Sequence, residues 1–346
     1  MGWWLVNADT VAGSRFVVSP LAETIASLKT LERGTAAHPG ERAWLDIHLP
    51  AYRKRQAGDP ITALLIRAAL GRTWNADFLT PPPLLAPKPT AAPAPTDGGS
   101  VSSRVTPPGP PVTFAQELAR IRETPPESAR ADLTVSLNGP LPAQLHRSDL
   151  PERTADLLEW VWTESVLPSW PQRRRILEAD VIARTAQLSQ GGWAAALDDM
   201  HPGMRWLGES RLQINTHDYP PRELAGTQLL FVPVTSRQSW VAWDAPHLYA
   251  VVYPCSGALA EAGRASVPEA LGTLLGPARA GVLVLLDTPK STTQLVALTG
   301  QGLGSVGRHL KVLRDARLIQ RRRTGRSVLY YRSPAGEVLV TAQENG

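Results

Sequence analysis

The residues of this chain best equipped for chemistry are hydrogen-bond donors and cations rather than nucleophiles. Between positions 305 and 326 lie Ser305, Arg308, His309, Lys311, Arg322, Arg323 and Arg326. Arg308 carries a two-pronged donor set that matches the paired acceptors of a guanine edge, and a Ser hydroxyl can meet either kind of base. Lys311, Arg322, Arg323 and Arg326 are cations of the sort that neutralise phosphates. His309 reads chiefly as a packing histidine, with a base contact as the lesser alternative. Charge distribution points the same way. Residues 268–346 hold eleven Lys/Arg against five Asp/Glu, whereas residues 1–267 hold 25 against 26. A basic excess confined to one small segment is the footprint of a polyanionic partner.

Other chemistries find less support. The single cysteine, Cys255, excludes an internal disulfide framework and a thiolate metal cluster within one chain. It ends an apolar run at Pro254-Cys255-Ser256-Gly257, where it could act as a nucleophile with His247 or His217 as base. No signature accompanies it, and a small buried cysteine is the commoner use of such a position. His201, His217, Asp218 and His247 are the remaining ligand types, and their spacing fits no standard metal site. We therefore expect no enzyme, no metal and no cofactor. No stretch of 18 apolar residues occurs, so no membrane span is expected. The opening ten residues lack the basic start and apolar run of a secretion signal, which fits a cytoplasmic protein.

The elements that must position the basic residues are legible locally. Spacing predicts short helices over 268–275 and 277–286. Ser291 followed three residues later by Gln294 has the form of a capping box, opening a helix that turns Leu295 and Leu298 inward and stops at Gly300. A second helix follows, reaching about residue 317, with Val306, Leu310 and Leu313 on one stripe and Ser305, Arg308 and Lys311 elsewhere. Residues 318–323 and 327–332 read as two strands joined by a basic turn, 324–326. Helix, glycine turn, helix and basic hairpin together suggest a winged helix-turn-helix, with the hairpin against phosphate backbone or minor groove.

Residues 277–332 resemble the winged helix-turn-helix of the ArsR family of bacterial regulators. The resemblance rests on RHLKVLRDARLIQRRRTGRSVLYY, from Arg308 to Tyr331, and on the preceding QLVALTG, from Gln294 to Gly300. It implies a homodimer that binds double-stranded DNA at an inverted repeat, usually as a repressor released by an effector. Residues 1–263 are also similar, loosely, to the long N-terminal regions attached to such wings in actinobacterial regulators. Three positions depart from the family pattern. Gly307 stands where Ser is usual, Gly302 takes the hydroxylic N-cap, and Arg317 replaces the glycine that ends the recognition helix. A glycine costs a helix about 1 kcal/mol against alanine, so Gly304 and Gly307 weaken this one. Cysteine pairs of metal-sensing members have no counterpart here.

The rest of the chain reads as α+β. Residues 1–79 form an α/β region, with a strand at 15–18 and helices at 21–31 and around 64–69. Eleven prolines between Pro81 and Pro111 mark 80–112 as a flexible, partly polyproline linker or loop. Within 113–263, helices are predicted over 114–121, 154–167, 170–188 and 193–199. Strands are predicted over 133–137, 211–214, 228–234, 240–243 and 248–253. Six tryptophans from Trp160 to Trp240, with Trp243, could line a pocket for a small-molecule effector, although core packing accounts for most such residues. The sequence thus implies a DNA-binding transcriptional regulator. The alternative is an effector-binding or oligomerisation protein whose basic C-terminal domain binds DNA only weakly and without sequence preference.

Overall fold

A computed structural model describes residues 2–36, 39–71, 73–85, 112–197, 200, 203–214, 221–255, 267–286, 289–299, 301–324 and 327–342. Strands β1 (Trp3–Leu5) and β2 (Arg15–Phe16) flank α1 (Ala8–Gly13), whose first turn is capped by the Asn7 side chain. Helix α2 (Pro20–Arg33) starts at the point where Ser19 caps and Pro20 presets the backbone, and Gly34, at φ +63°, ends it. Helices α3 (Pro39–Gly58) and α4 (Pro60–Ala69) follow, the latter capped by Asp59. After residues 86–111, which lie outside the described residues, a Thr113–Gln116 capping box opens α5 (Phe114–Arg122). Residues 80–85, expected to be part of the linker, are packed against the body. Pro82 and Pro83 are buried, and Arg120 donates to the Pro82 carbonyl at 2.6 Å.

Helices α6 (Pro126–Leu137), α7 (Leu150–Val161) and α8 (Trp170–Leu197) complete this layer, with α8 interrupted at Gly192, φ +67°. Residues 133–137, expected as a strand, are the end of α6. Their alternating β-branched pattern is overridden by helical spacing that buries Ala129, Leu133 and Ser136 while Val135 stays 60% exposed. The Ser136 hydroxyl donates to the Ala68 carbonyl at 2.7 Å, and Asn138, at φ +50°, takes the left-handed cap.

Six further strands follow: β3 (Arg205–Gly208), β4 (Arg211–Gln213), β5 (Arg222–Glu223), β6 (Gln228–Val234), β7 (Trp240–Asp244) and β8 (Leu248–Pro254). The expected sequence of helices and then a separate run of strands does not describe their pairing. β1 sits between β4 and β5 in one sheet, ordered β3-β4-β1-β5, and β2 joins the other, ordered β2-β6-β8-β7. β2, β6 and β8 run parallel, with β7 antiparallel on the edge. The fold is therefore mixed α/β with several sheets.

β6 is apolar along nearly its whole length because both of its faces are covered. Leu230, Val232 and Val234 pack into the helical layer, whereas Leu229 and Phe231 face a core that includes Trp4, Leu212 and Leu224. Pro233 is tolerated in this central strand because β2 stops beside Phe231. By strand alternation, the N–H that Pro233 lacks would point beyond the end of β2 rather than toward β8.

Helix α8 links this body to the C-terminal segment. Its Ile176 and Leu177 lie in a third core with Cys255, Leu271, Leu283 and Leu295. That core gathers α9 (Glu269–Leu275), α10 (Pro277–Leu285), α11 (Thr292–Thr299), α12 (Leu303–Asp315) and α13 (Pro334–Thr341) around a small sheet. No helix of the described residues is long and apolar enough to cross a membrane.

Candidate nucleic-acid interface

The C-terminal segment is built from capping and close packing. Ser291 accepts the Gln294 N–H at 3.2 Å, and the Gln294 side chain accepts the Ser291 N–H at 2.7 Å, so the predicted capping box opens α11. Leu295 and Leu298 point into the core; Gly300, expected to close the helix, lies outside the described residues. α12 buries Val306, Leu310 and Leu313, the predicted stripe. Gly302 caps it without a side-chain bond.

The opposite face of α12 is open. Gly304, Arg308, Lys311 and Asp315 follow helical spacing and are all exposed. A Cβ added to Gly304 or Gly307 would meet nothing within 4 Å, so this surface is unobstructed. Ser305 and His309 are half-buried and lie one turn apart. The Ser305 hydroxyl bonds Gln301 Oε1 at 2.9 Å and lies 3.3 Å from His309 Nε2. Ser305 is thus engaged by Gln301, just ahead of the helix, and His309 serves it as a local partner.

Strands β10 (Ile319–Thr324) and β11 (Ser327–Arg332) form the hairpin, with Arg321 opposite Tyr330, Arg322 opposite Leu329 and Arg323 opposite Val328. Ile319 is buried and anchors the base, while Arg321, Arg322 and Arg323 are exposed. Arg326 lies outside the described residues. A third strand that the sequence reading did not anticipate, β9 (Lys290–Ser291), pairs with β11 at Leu329 and Tyr330. Two residues make too short an apolar pattern to be seen.

The turn from α12 into the hairpin resolves the departure at Arg317. Arg317 stands at φ +59°, in the conformation that glycine adopts at helix ends. The Leu318 N–H reaches the Leu313 carbonyl and the Arg317 N–H the Arg314 carbonyl, both at 2.9 Å.

Three positioning residues also escaped the sequence reading. Arg332 donates to the Leu283 carbonyl at 2.9 Å and the Val284 carbonyl at 2.5 Å, tying the hairpin to the C-terminal end of α10. Ser333 caps α13 through the Gly336 N–H and donates to the Arg317 carbonyl at 2.6 Å. Gly336 packs so closely that a Cβ would stand 2.1 Å from the Leu318 carbonyl oxygen. Single polar or small residues at an element's end give no periodic signal.

The rival chemistry places differently. Cys255 is buried, and burial, with Asp180 and Glu23 nearby, pushes its thiol well above the usual range. His247 is exposed. His201, His217 and Asp218 lie outside the described residues. Among the described residues no group of three His, Cys, Asp or Glu side chains converges as a metal site would require. In comparisons with known proteins, the chain matches no protein-family model, no curated protein and no solved structure.

Proposed function

We propose that residues 268–346 form a winged helix-turn-helix and that the protein is a sequence-specific DNA-binding transcriptional regulator. The observation that carries this reading is the set of exposed basic side chains on two adjoining elements. Arg308 and Lys311 stand exposed on α12, and Arg321, Arg322 and Arg323 stand exposed on the hairpin that follows it. The buried stripe of α12 holds that helix on the core by its opposite side, which leaves the basic face for a partner. In this reading α12 enters the major groove, where Arg308 reads a base edge; Lys311 and the hairpin arginines contact phosphates.

A single recognition helix spans only one half-site, so a homodimer on an inverted repeat supplies the remaining specificity. The resemblance to ArsR regulators adds repression and release by an effector as parts of the proposal. Selection of duplexes from a random-sequence pool by the full chain tests it. A recovered two-fold motif supports the reading; a pool that returns without sequence enrichment contradicts it and leaves a basic surface of general affinity.

A further inference from the structure

A large cleft, lined by no residue of the basic hairpin, lies between edge strand β7, strands β1 and β5, and the C-terminal ends of α4 and α6. Its two lobes measure about 1340 Å³ and about 850 Å³ and share Arg67, Gly71, Trp74, Asp77, Val241 and Trp243. Either lobe has room for a drug-sized molecule.

The shared wall is aromatic. Trp74 and Trp243 stand with ring centroids 5.1 Å apart at 48°, and the Arg222 guanidinium lies 4.2 Å from the Trp243 centroid. All three side chains are half-buried, so part of each faces the cleft. Gly71 makes this arrangement possible. A Cβ there would stand 2.1 Å from the Ser136 carbonyl oxygen and 2.6 Å from that of Trp74, so only glycine lets the turn carrying Trp74 close onto α6.

The second lobe is cationic. Lys29 Nζ sits 5.1 Å from the Trp240 ring centroid and 3.3 Å from Asn75 Oδ1. No ion pair joins it to a carboxylate among the described residues. Burial, reinforced by Arg33, lowers its ammonium to about 8, as befits a cation held without a counter-ion. Arg33, Arg67 and Arg237 line the same lobe. The two acids of the cleft already have partners: Glu32 accepts from Tyr52 and Gln56, and Asp77 from the Trp243 indole. An ammonium in such surroundings is strongly stabilised by an anion brought to it.

We propose that this cleft binds a planar aromatic molecule bearing one anionic group, with the ring against Trp74 and Trp243 and the anion at Lys29. The ring would gain stacking and cation–π contact from Trp243 and Arg222. Such a ligand would be the effector in the functional reading above, and only that role rests on the reading.

Calorimetric titration of the full chain, without DNA, tests the site itself. The probes are 2-naphthoate, the neutral 2-naphthalenemethanol and the non-aromatic octanoate. We expect one saturable site for 2-naphthoate and at least tenfold weaker binding of each of the other two. Lys29→Met and Trp243→Leu should each weaken 2-naphthoate at least tenfold, and Arg122→Ala, whose side chain pairs with Asp156 and Glu159 and does not line the cleft, should not. Because Lys29 and Trp243 also pack, the exposed Arg67→Gln serves as a second variant, with at least a threefold loss for 2-naphthoate and none for the alcohol. Absence of a saturable heat, equal affinity for the alcohol, or wild-type affinity in all three cleft variants overturns the proposal. None of these outcomes bears on DNA binding, which the duplex selection measures separately.

Discussion

Leu318 donates its backbone N–H to the Leu313 carbonyl at 2.9 Å, across an arginine, Arg317, that stands at φ +59°. This closing turn fixes where the hairpin leaves α12, and it uses a residue with a Cβ where the backbone favours none. An L-residue in that conformation costs about 1 kcal/mol relative to glycine. Arg317→Gly should therefore stabilise the folded chain by up to about that amount, read as a higher urea midpoint with an unchanged denaturant slope. A lower midpoint would mean that the exposed Arg317 side chain contributes more than its backbone costs.

Arg332 ties the hairpin to the helical core. Its side chain is 9% exposed and bonds two carbonyls near the end of α10 as well as Glu337. Arg332→Met keeps much of the packing and loses the donors, which should cost about 2 kcal/mol or more. Faster amide exchange at 283–286 and along β10 and β11 would locate the loss. Unchanged exchange there would show that the hairpin is held by other contacts.

Gly307 lies on the open face of α12, where an added methyl meets no neighbour. Gly307→Ala should stabilise the helix by about 0.5–1 kcal/mol. The same methyl would stand between the helix backbone and a groove, so we expect weaker specific DNA binding in the more stable variant. A variant that is both more stable and equally tight would place DNA contact away from this face.

Glu117 gives the body a pH dependence. Its carboxyl is 2% exposed, accepts from the Ser19 hydroxyl and the Leu21 N–H, and is raised by burial to about 7. The folded state therefore holds a proton that the unfolded chain releases near pH 4.5. The associated stability is fully present below about pH 4.5 and is lost as pH rises to about 7, a difference on the order of 3 kcal/mol. Glu117→Gln should flatten the stability profile across that window, as measured by denaturation at several pH values. A profile parallel to that of the wild type would exclude Glu117 as the source.

The sequence was most informative where the determinants are local. The Ser291–Gln294 box and the Val306, Leu310 and Leu313 stripe are short-range patterns, and both elements form as their spacing implies. Residues 133–137 misled because β-branched alternation imitates a strand, while the inward turn of Leu133 and Ser136 is decided by α4 and the helical core. β1 is three residues long and pairs with partners more than 200 positions away, so no local pattern announces it. The tryptophan cleft was foreshadowed only as clustered aromatics. Trp74 fell outside that cluster, and its union with Trp243 and Lys29 depends on chain segments brought together by the fold. The basic face was visible as composition, whereas the residues that orient it, Arg332, Ser333 and Gly336, carry meaning only once their contacts are known.

The measurement that tests the central claim most directly is a fluorescence-anisotropy titration with duplex DNA from upstream of the chain's own coding sequence. It is run against excess nonspecific DNA at two salt concentrations, for the wild type, Arg308→Ala and Arg322→Ala. The account predicts binding that survives the competitor. Arg308→Ala should abolish that preference at a cost of about 1–3 kcal/mol, and Arg322→Ala should weaken all sequences alike and reduce the salt slope by about one. Binding that is fully competed, steeply salt-dependent and indifferent to Arg308→Ala would contradict a sequence-reading regulator.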